Sequence, residues 1–197
     1  MPQELVLATH NAHKVAEFQR IVGERMPGAV VLAYDGPEPV EDGTSFAANA
    51  LIKARAAAAH TGRIALADDS GITVDILGAA PGILSARWSG TRDDRANREL
   101  LLAQLADIRD EDRGARFTCA IAVVAPDGRE EVAEGVWPGR IARAAAGEHG
   151  FGYDPVFVPD GGELTAAELA PEAKDADSHR ARALALAVPV IERLAAG

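Results

Sequence analysis

The chain is short of several things, and each shortage removes a class of function. It has a single cysteine, Cys119, so neither an internal disulfide nor a multi-cysteine metal cluster can form, which fits a reducing compartment. Within "FTCAIAVVA" that residue reads as a small buried hydrophobe. Basic charge is scarce too: twenty Lys and Arg against thirty Asp and Glu give a formal net charge of −10, which disfavours broad adhesion to nucleic acid or anionic lipid. Any phosphate-binding site must therefore be local. No apolar run is long enough to cross a bilayer, and "MPQELVLATHN" lacks the basic-then-apolar layout of a secretory signal. The expectation is a cytoplasmic protein with no membrane and no nucleic-acid partner. Aromatics make up only 5%, so the core has to be built from Ala, Leu, Val and Ile, with close helix contacts where Ala predominates.

What is present is an alternation of strand-like and helix-like stretches. "ELVLAT" reads as a short buried strand, and "NAHKVAEFQRIVGERM" carries apolar Val15, Phe18, Ile21 and Val22 at helical spacing. A second apolar run, "AVVLAY", leads into the Pro- and acid-rich loop "DGPEPVEDGTS". Ser45 or Thr44 caps the next helix, "FAANALIKARAAAAHTG", and Gly62 ends it. The strand "RIALA" follows and is expected to stop at Asp68 and Asp69. "GITVDILGAAPGILSARWSG" is broken by Gly and Pro into short extended pieces joined by turns, and "DDRANRELLLAQLADI" returns to helical periodicity. "ARFTCAIAVVAPDGREEVAEGVWPGRIA" reads as a long hairpin about its "PDG" turn. "GEHGFGYDPVFVPDG" is a punctuated loop entering a short strand, and residues 177–195 are helical in pattern, with Pro189 expected to kink or divide them. There is no repeat and no linker, so one domain over residues 1–197 is expected. A hairpin must be antiparallel while strand–helix units favour parallel neighbours, which predicts an α/β fold with a mixed sheet.

Three places hold residue types suited to chemistry. In "ATHNAHK" a strand gives way to a helix, so free N–H groups and the positive end of the helix dipole face Thr9, His10 and Asn11, and Lys14 adds a charge one turn in. An anion suits that place, although Asn11 as a plain cap and Lys14 as a solvated cation account for the same residues. Neither GxxxxGK[ST] nor GxGxxG occurs. The second place combines the acids Glu38, Glu41 and Asp42 with Asp68 and Asp69, which follow a buried strand at the edge where α/β proteins place ligands. Oxygen-only donors of this kind suit Mg²⁺ or Mn²⁺, while the histidines have no HExxH-like spacing for zinc. A polar turn capped by Asp-Asp-Ser is the plainer reading of the same residues. The third place is "GFGYD", with Phe151 and Tyr153 among glycines, together with Lys174, Ser178, His179 and Arg180 of "KDADSHRAR". Aromatics there can stack a base, and the cations can donate to carbonyl or phosphate oxygens. Core packing or a solvated face explains each of them singly.

Together, and in order along nearly the whole chain, "LATHNAHKVAEF", "EDGTSFAANALIKA", "ALADDSGITVDILGAAPGILSARWSG", "RFTCAIAVV", "GVWPGRI", "GFGYDPVFVP", "TAAEL" and "KDADSHRARAL" resemble the inosine triphosphate pyrophosphatase family, the Ham1-like or RdgB-like non-canonical purine nucleoside triphosphatases. The family's T-x-N-x-x-K is in register as Thr9, Asn11 and Lys14, and its aromatic after FG is here Tyr153. The resemblance implies an elongated mixed sheet flanked by helices, two lobes around a central cleft, and a homodimer. It implies hydrolysis of ITP, dITP and XTP to the monophosphate and pyrophosphate, with Mg²⁺ as cofactor and Mn²⁺ as its substitute. Asp69 would be general base and metal ligand, with Glu41 and Asp68 completing the metal site. Asn11, Lys14, the start of that helix and Lys53 would hold the β and γ phosphates, Ser70 would add a substrate hydrogen bond, and Thr9, His10, Ala12 and His13 would also bind substrate. Phe151, Gly152, Tyr153, Asp154, Lys174, His179 and Arg180 would form the base end, Phe151 stacking on the purine and the last three reading its 6-keto edge. The rivals are a Maf-like pyrophosphatase for another nucleotide, against which "GFGYD" and "SHR" speak, and a nucleotide-binding regulator without hydrolysis, which the retained Glu41, Asp68, Asp69 and Lys53 oppose.

Overall fold

The computed structural model describes residues 3–10 and 12–196, apart from the side chains of Ala12, His13, Glu17 and Asp175. Six strands form one sheet, β1 (Glu4–Leu7), β2 (Val30–Ala33), β3 (Ile64–Val74), β4 (Gly114–Val124), β5 (Glu130–Ile141) and β6 (Phe157–Pro159), in the order β2-β1-β3-β4-β5-β6. The helices are α1 (Ala12–Arg25), α2 (Phe46–Thr61), α3 (Asp94–Gln104), α4 (Pro171–Asp177) and α5 (His179–Ala195). β1 runs parallel to β2 and to β3, with Leu5 opposite Val31 and Val6 opposite Ala65, while β5 and β6 are antiparallel. The mixed sheet expected from the sequence is therefore present. The hairpin is present too: β4 and β5 are neighbours joined by a turn in which Gly128 N–H donates to Ala125 O and Ala125 N–H to Arg129 O.

The chain divides into two compact units, one of Met1–Asp69, Cys119–Gly135 and Arg182–Gly197, the other of Ser70–Thr118 and Val136–Ala181. In the first unit the two-residue period of the strands sorts side chains by size. Leu5, Leu7, Leu66, Ile121 and Val123 share one cluster with Phe18 and Val22 of α1 and Leu184 and Ile191 of α5. Val6, Ala65, Ala67, Ala120 and Ala122, one step along, share another with Ala50, Ala54, Ala57 and Ala58 of α2. Large residues thus face α1 and α5, and alanines face alanines where α2 lies close. As expected, Ser45 caps α2, its hydroxyl accepting from Ala48 N–H, and Gly62 ends it in the left-handed conformation.

In the second unit the scarce aromatics are concentrated. Phe117 and Phe157 meet edge-on at 4.7 Å, Trp137 lies 5.4 Å from Phe157, and Ile72, Val74, Leu101 and Leu105 complete that core. Arg113 is almost fully buried beside it. Its guanidinium donates to the carbonyls of Ile141 at 2.8 Å, Leu105 at 2.5 Å and Ala142 at 2.8 Å, tying α3's end to the end of β5.

Three local expectations need correction. β3 does not stop at Asp68 but continues to Val74, because "GITV" restores apolar residues and Ile72 and Val74 are fully buried. The stretch after it is not a set of extended pieces: 3-10 turns at Asp75–Leu77 and Gly82–Arg87 occupy it. Pro189 does not divide α5, which runs unbroken across it with Val188, Val190 and Ile191 buried on either side.

Replacing the buried arginine by a shorter, unbranched apolar chain, Arg113→Met, leaves three carbonyls without their donor. At about 1 kcal/mol or more for each unsatisfied acceptor, the loss should reach roughly 3 kcal/mol. Urea unfolding checks this, and a change within about 0.5 kcal/mol would show that the bonds contribute nothing net.

Candidate functional site

The course of β3 decides where the two aspartates point. Successive strand residues face opposite sides, so Asp68 shares its side with Leu66 and Asp69 shares its side with Ala67. Asp68 therefore faces α1, and Lys14 Nζ donates to both of its oxygens at 2.9 Å. Asp69 faces α2, where Lys53 Nζ lies 3.5 Å from Oδ1 and Asn49 Nδ2 donates to Oδ2 at 3.2 Å. Glu41 reaches the same ammonium, 3.1 Å from Lys53 Nζ. The structure thus brings Glu41, Asp69 and Lys53 together, and sets Asp68 with Lys14.

Asn49 is the residue that sequence reading passed over. It is buried in the middle of an alanine-rich helix, one turn before Lys53. Its Oδ1 accepts from Gly43 N–H at 2.9 Å, which leaves only its amino group to face Asp69. One amide so fixes both the acidic loop and the aspartate. Gly43 is required for that approach, because a Cβ there would lie 2.6 Å from Asn49 Oδ1. Only the tertiary partner gives the residue away.

Burial pushes the Asp69 carboxyl above its ordinary value; Lys53 and the Asn49 amide pull it down, Glu41 and Asp68 push it up, and the net direction is upward. Burial opposes the charge on Lys53, but Asp69, Asp68 and Glu41 outweigh it and hold the ammonium above its ordinary value. A carboxyl raised this way is a better proton acceptor than a solvated aspartate.

Thr9 and His10 line a pocket with Tyr34, Glu38, Glu41 and Lys53. His10 Nε2 donates to Gly36 O at 3.2 Å, and Nδ1 lies 3.2 Å from Glu38 Oε1. Asn11 lies outside the described residues, as do the side chains of Ala12 and His13, which open α1. Ser70 is half-buried next to Asp69 in sequence and belongs to the second unit.

In that second unit Phe151 stands out, 62% exposed, with Lys174 Nζ 5.5 Å and Arg180 Cζ 6.0 Å from its ring centre. Asp154 is buried and accepts from Lys174 Nζ at 2.5 Å and from Phe151 N–H at 2.8 Å. Tyr153 is not a surface aromatic: it is buried, its hydroxyl donates to Ser85 O at 2.8 Å, and burial first, then Asp94, push that hydroxyl well above its ordinary value. His179 is buried face-on against Phe117 at 4.8 Å. Gly152 takes a left-handed φ of 58°, which a side chain would disfavour.

The matching of a family model over residues 5–190 decides what this arrangement belongs to. The chain belongs to the Ham1 family. It is 63% identical over 191 residues to the dITP/XTP pyrophosphatase of Leifsonia xyli subsp. xyli, with 96% of each chain covered. Among solved structures, the crystal structure of the dITP/XTP pyrophosphatase of Mycobacterium abscessus is 53% identical, with a TM-score of 0.81 over 95% of this chain and all of that one. A HAM1 protein of Coxiella burnetii is 40% identical, with a TM-score of 0.89 over 97% and 99% of the two chains. The α/β fold with a mixed, helix-flanked sheet is that of these Ham1 structures. Among the described residues no helix is long and apolar enough to cross a membrane.

The donor set of the first unit is of the kind that fits the divalent cation expected from the sequence. Glu41 and Asp69 already converge on one cationic atom, and their oxygens are the ligands a hard cation takes. Among the described residues no three acidic or histidine side chains form an ion cage. One or two carboxylates completed by substrate oxygens and water is, however, the usual way Mg²⁺ sits with nucleotides.

The Asp68–Lys14 pair yields a stability test. Asp68 is 2% exposed and Lys14 28%, so Lys14→Met should cost about 2 kcal/mol, less than the 3–5 typical when a fully buried pair is broken. Adding Asp68→Asn should restore most of it. Thermal or urea unfolding reads both, and equal stability of wild type and Lys14→Met would show that the pair is energetically idle.

Proposed function

We propose that this chain hydrolyses non-canonical purine nucleoside triphosphates, ITP, dITP and XTP, to the monophosphate and pyrophosphate, removing deaminated purines from the nucleotide pool before they enter DNA or RNA. The observation that carries the reading is the Glu41–Lys53–Asp69 cluster held by Asn49, in a chain whose relatives bear the name dITP/XTP pyrophosphatase. A raised carboxylate beside a lysine supplies a base and a phosphate anchor at one place.

On this reading Asp69 takes a proton from the water that attacks the α-phosphorus, which its upward shift favours. Lys14 and Lys53 turn from their carboxylates toward the β and γ phosphates and stabilise the leaving pyrophosphate. Thr9, His10, Asn11 and the start of α1 receive phosphate oxygens, and Ser70 adds a hydrogen bond. Glu41 and Asp69, with Asp68, would hold Mg²⁺ or Mn²⁺, which supplies positive charge to the phosphate oxygens. Phe151 stacks on the purine, while Lys174, His179 and Arg180 read its 6-keto edge. Adenine carries an amino group there and would set donor against donor, a mismatch such sites reject by about 10⁴-fold or more. We place the reaction in the cytoplasm and the enzyme in a homodimer.

Asp69→Asn keeps shape and loses the base. Its kcat for ITP should fall roughly 10²- to 10⁴-fold with nucleotide affinity and melting temperature little changed. Near wild-type turnover would remove Asp69 from this role. In the wild type, product analysis should show IMP and pyrophosphate, chelation should abolish turnover, and Mg²⁺ or Mn²⁺ should restore it. Release of IDP and inorganic phosphate would refute attack at the α-phosphorus.

A further inference from the structure

The loop that carries Phe151 is held by more than its own turn. Phe151 lies between Gly150 and Gly152, both left-handed, with φ of 76° and 58°. Its own N–H is taken by Asp154. Both polar backbone groups of the next residue are taken by α3: Gly152 N–H donates to Asp94 Oδ2 at 2.9 Å, and Arg98 Nη1 donates to Gly152 O at 2.7 Å. Asp94 and Arg98 are four residues apart and so lie one turn apart on one helix face, a spacing that lets an acceptor and a donor grip one residue's N–H and C=O. The neighbouring pair Arg95 and Glu99 bond to each other instead, at 2.6 Å. Since the Phe151 ring is largely exposed, backbone bonds rather than core packing decide where it stands.

We propose that Asp94 and Arg98 are positioning residues for the purine: by fixing Gly152 they set the place and tilt of the Phe151 ring before any nucleotide arrives. The inference rests on the reading of Phe151 as the stacking platform. A loop already held in its binding conformation does not have to be ordered by the ligand, so the two side chains act on affinity without touching the substrate. Asp154 and Lys174 hold the loop on the other side of Phe151, so that losing α3's grip loosens the ring's position while the loop remains attached.

Binding is measured by calorimetry, with magnesium present, for two probes: an ITP analogue with an imido bridge between the α and β phosphorus atoms, which resists hydrolysis, and inorganic triphosphate, which has no base. Arg98→Ala should weaken the analogue up to about tenfold and inorganic triphosphate less than about twofold. In turnover of ITP the loss should appear in KM, with kcat within about twofold of wild type. Asp94→Ala, at an exposed position, should act in the same direction. Arg98→Lys, which keeps a donor, should recover part of the loss. The double variant Arg98→Ala/Phe151→Ala should bind the analogue no more weakly than Phe151→Ala alone, because no ring remains to be positioned. Equal weakening of both probes would make Arg98 a general structural residue and overturn the proposal, as would additive losses in the double variant. If Phe151→Ala weakens the analogue while neither α3 variant does, the positioning role fails and the stacking reading stands. If Phe151→Ala leaves analogue binding unchanged, the stacking reading itself fails and takes the inference with it.

Discussion

Two adjacent carboxylates inside a buried strand govern the site. A strand turns neighbouring side chains to opposite faces, so Asp68 and Asp69 meet different helices, each hydrogen-bonded from the layer that covers its face. Burying a carboxylate without a cation costs several kcal/mol, and each covering helix supplies one, Lys14 from α1 and Lys53 from α2. The positions of α1 and α2 on the sheet and the charges they carry are thus one requirement. The Asn49 bond to the acidic loop adds Glu41 to the same assembly. The layered fold and the charged cluster are fixed by the same contacts.

Such an assembly suits a polyanion for a simple reason. Lysines held by carboxylates are already desolvated and already aimed, and a triphosphate offers them oxygens of equal or greater charge. Exchange of one anionic partner for another avoids most of the desolvation that a solvated lysine would have to undergo. On the proposed reading, the carboxylates released by that exchange would then take a cation or a proton. On the proposed reading the cluster is therefore held in a neutralised form until a nucleotide arrives.

Much of this was legible in the sequence and some was not, for physical reasons. Helix caps announce themselves locally, and Ser45 and Gly62 are where their chemistry requires. Strand alternation and the "PDG" turn gave the hairpin, and the motifs gave the family. The end of β3 is not legible locally because an apolar run meeting two acids looks like a strand reaching water, and Lys14, more than fifty residues earlier in the chain, makes Asp68 tolerable inside. Asn49 was hidden among alanines and Arg113 among surface-like charges, since a side chain that binds distant backbone carries no local periodic mark. Asp94 and Arg98 were hidden differently: in "DDRANRE" any acid and base four apart read as a solvated helical pair, and Arg95 with Glu99 is one.

The two groups of residues assigned here to phosphate and to base also differ in what kind of bond holds them, and the difference follows from what each has to recognise. Phosphate recognition tolerates movement, because Coulombic attraction falls slowly with distance, and the lysines on their flexible stems use ion pairs that can be exchanged. A purine face is recognised by contact, and stacking fails within an ångström or so of misplacement. Phe151 is accordingly fixed through backbone hydrogen bonds to buried Asp154 and to α3, and its exposed ring is shielded in part by the cations of Lys174 and Arg180 near its face. Those two cations gain an aromatic neighbour, and on the proposed reading they also meet the purine's keto edge. An apolar ring left exposed on a loop bound this firmly is therefore better explained by a ligand than by folding, because every bond that holds the loop would survive if the ring were trimmed away.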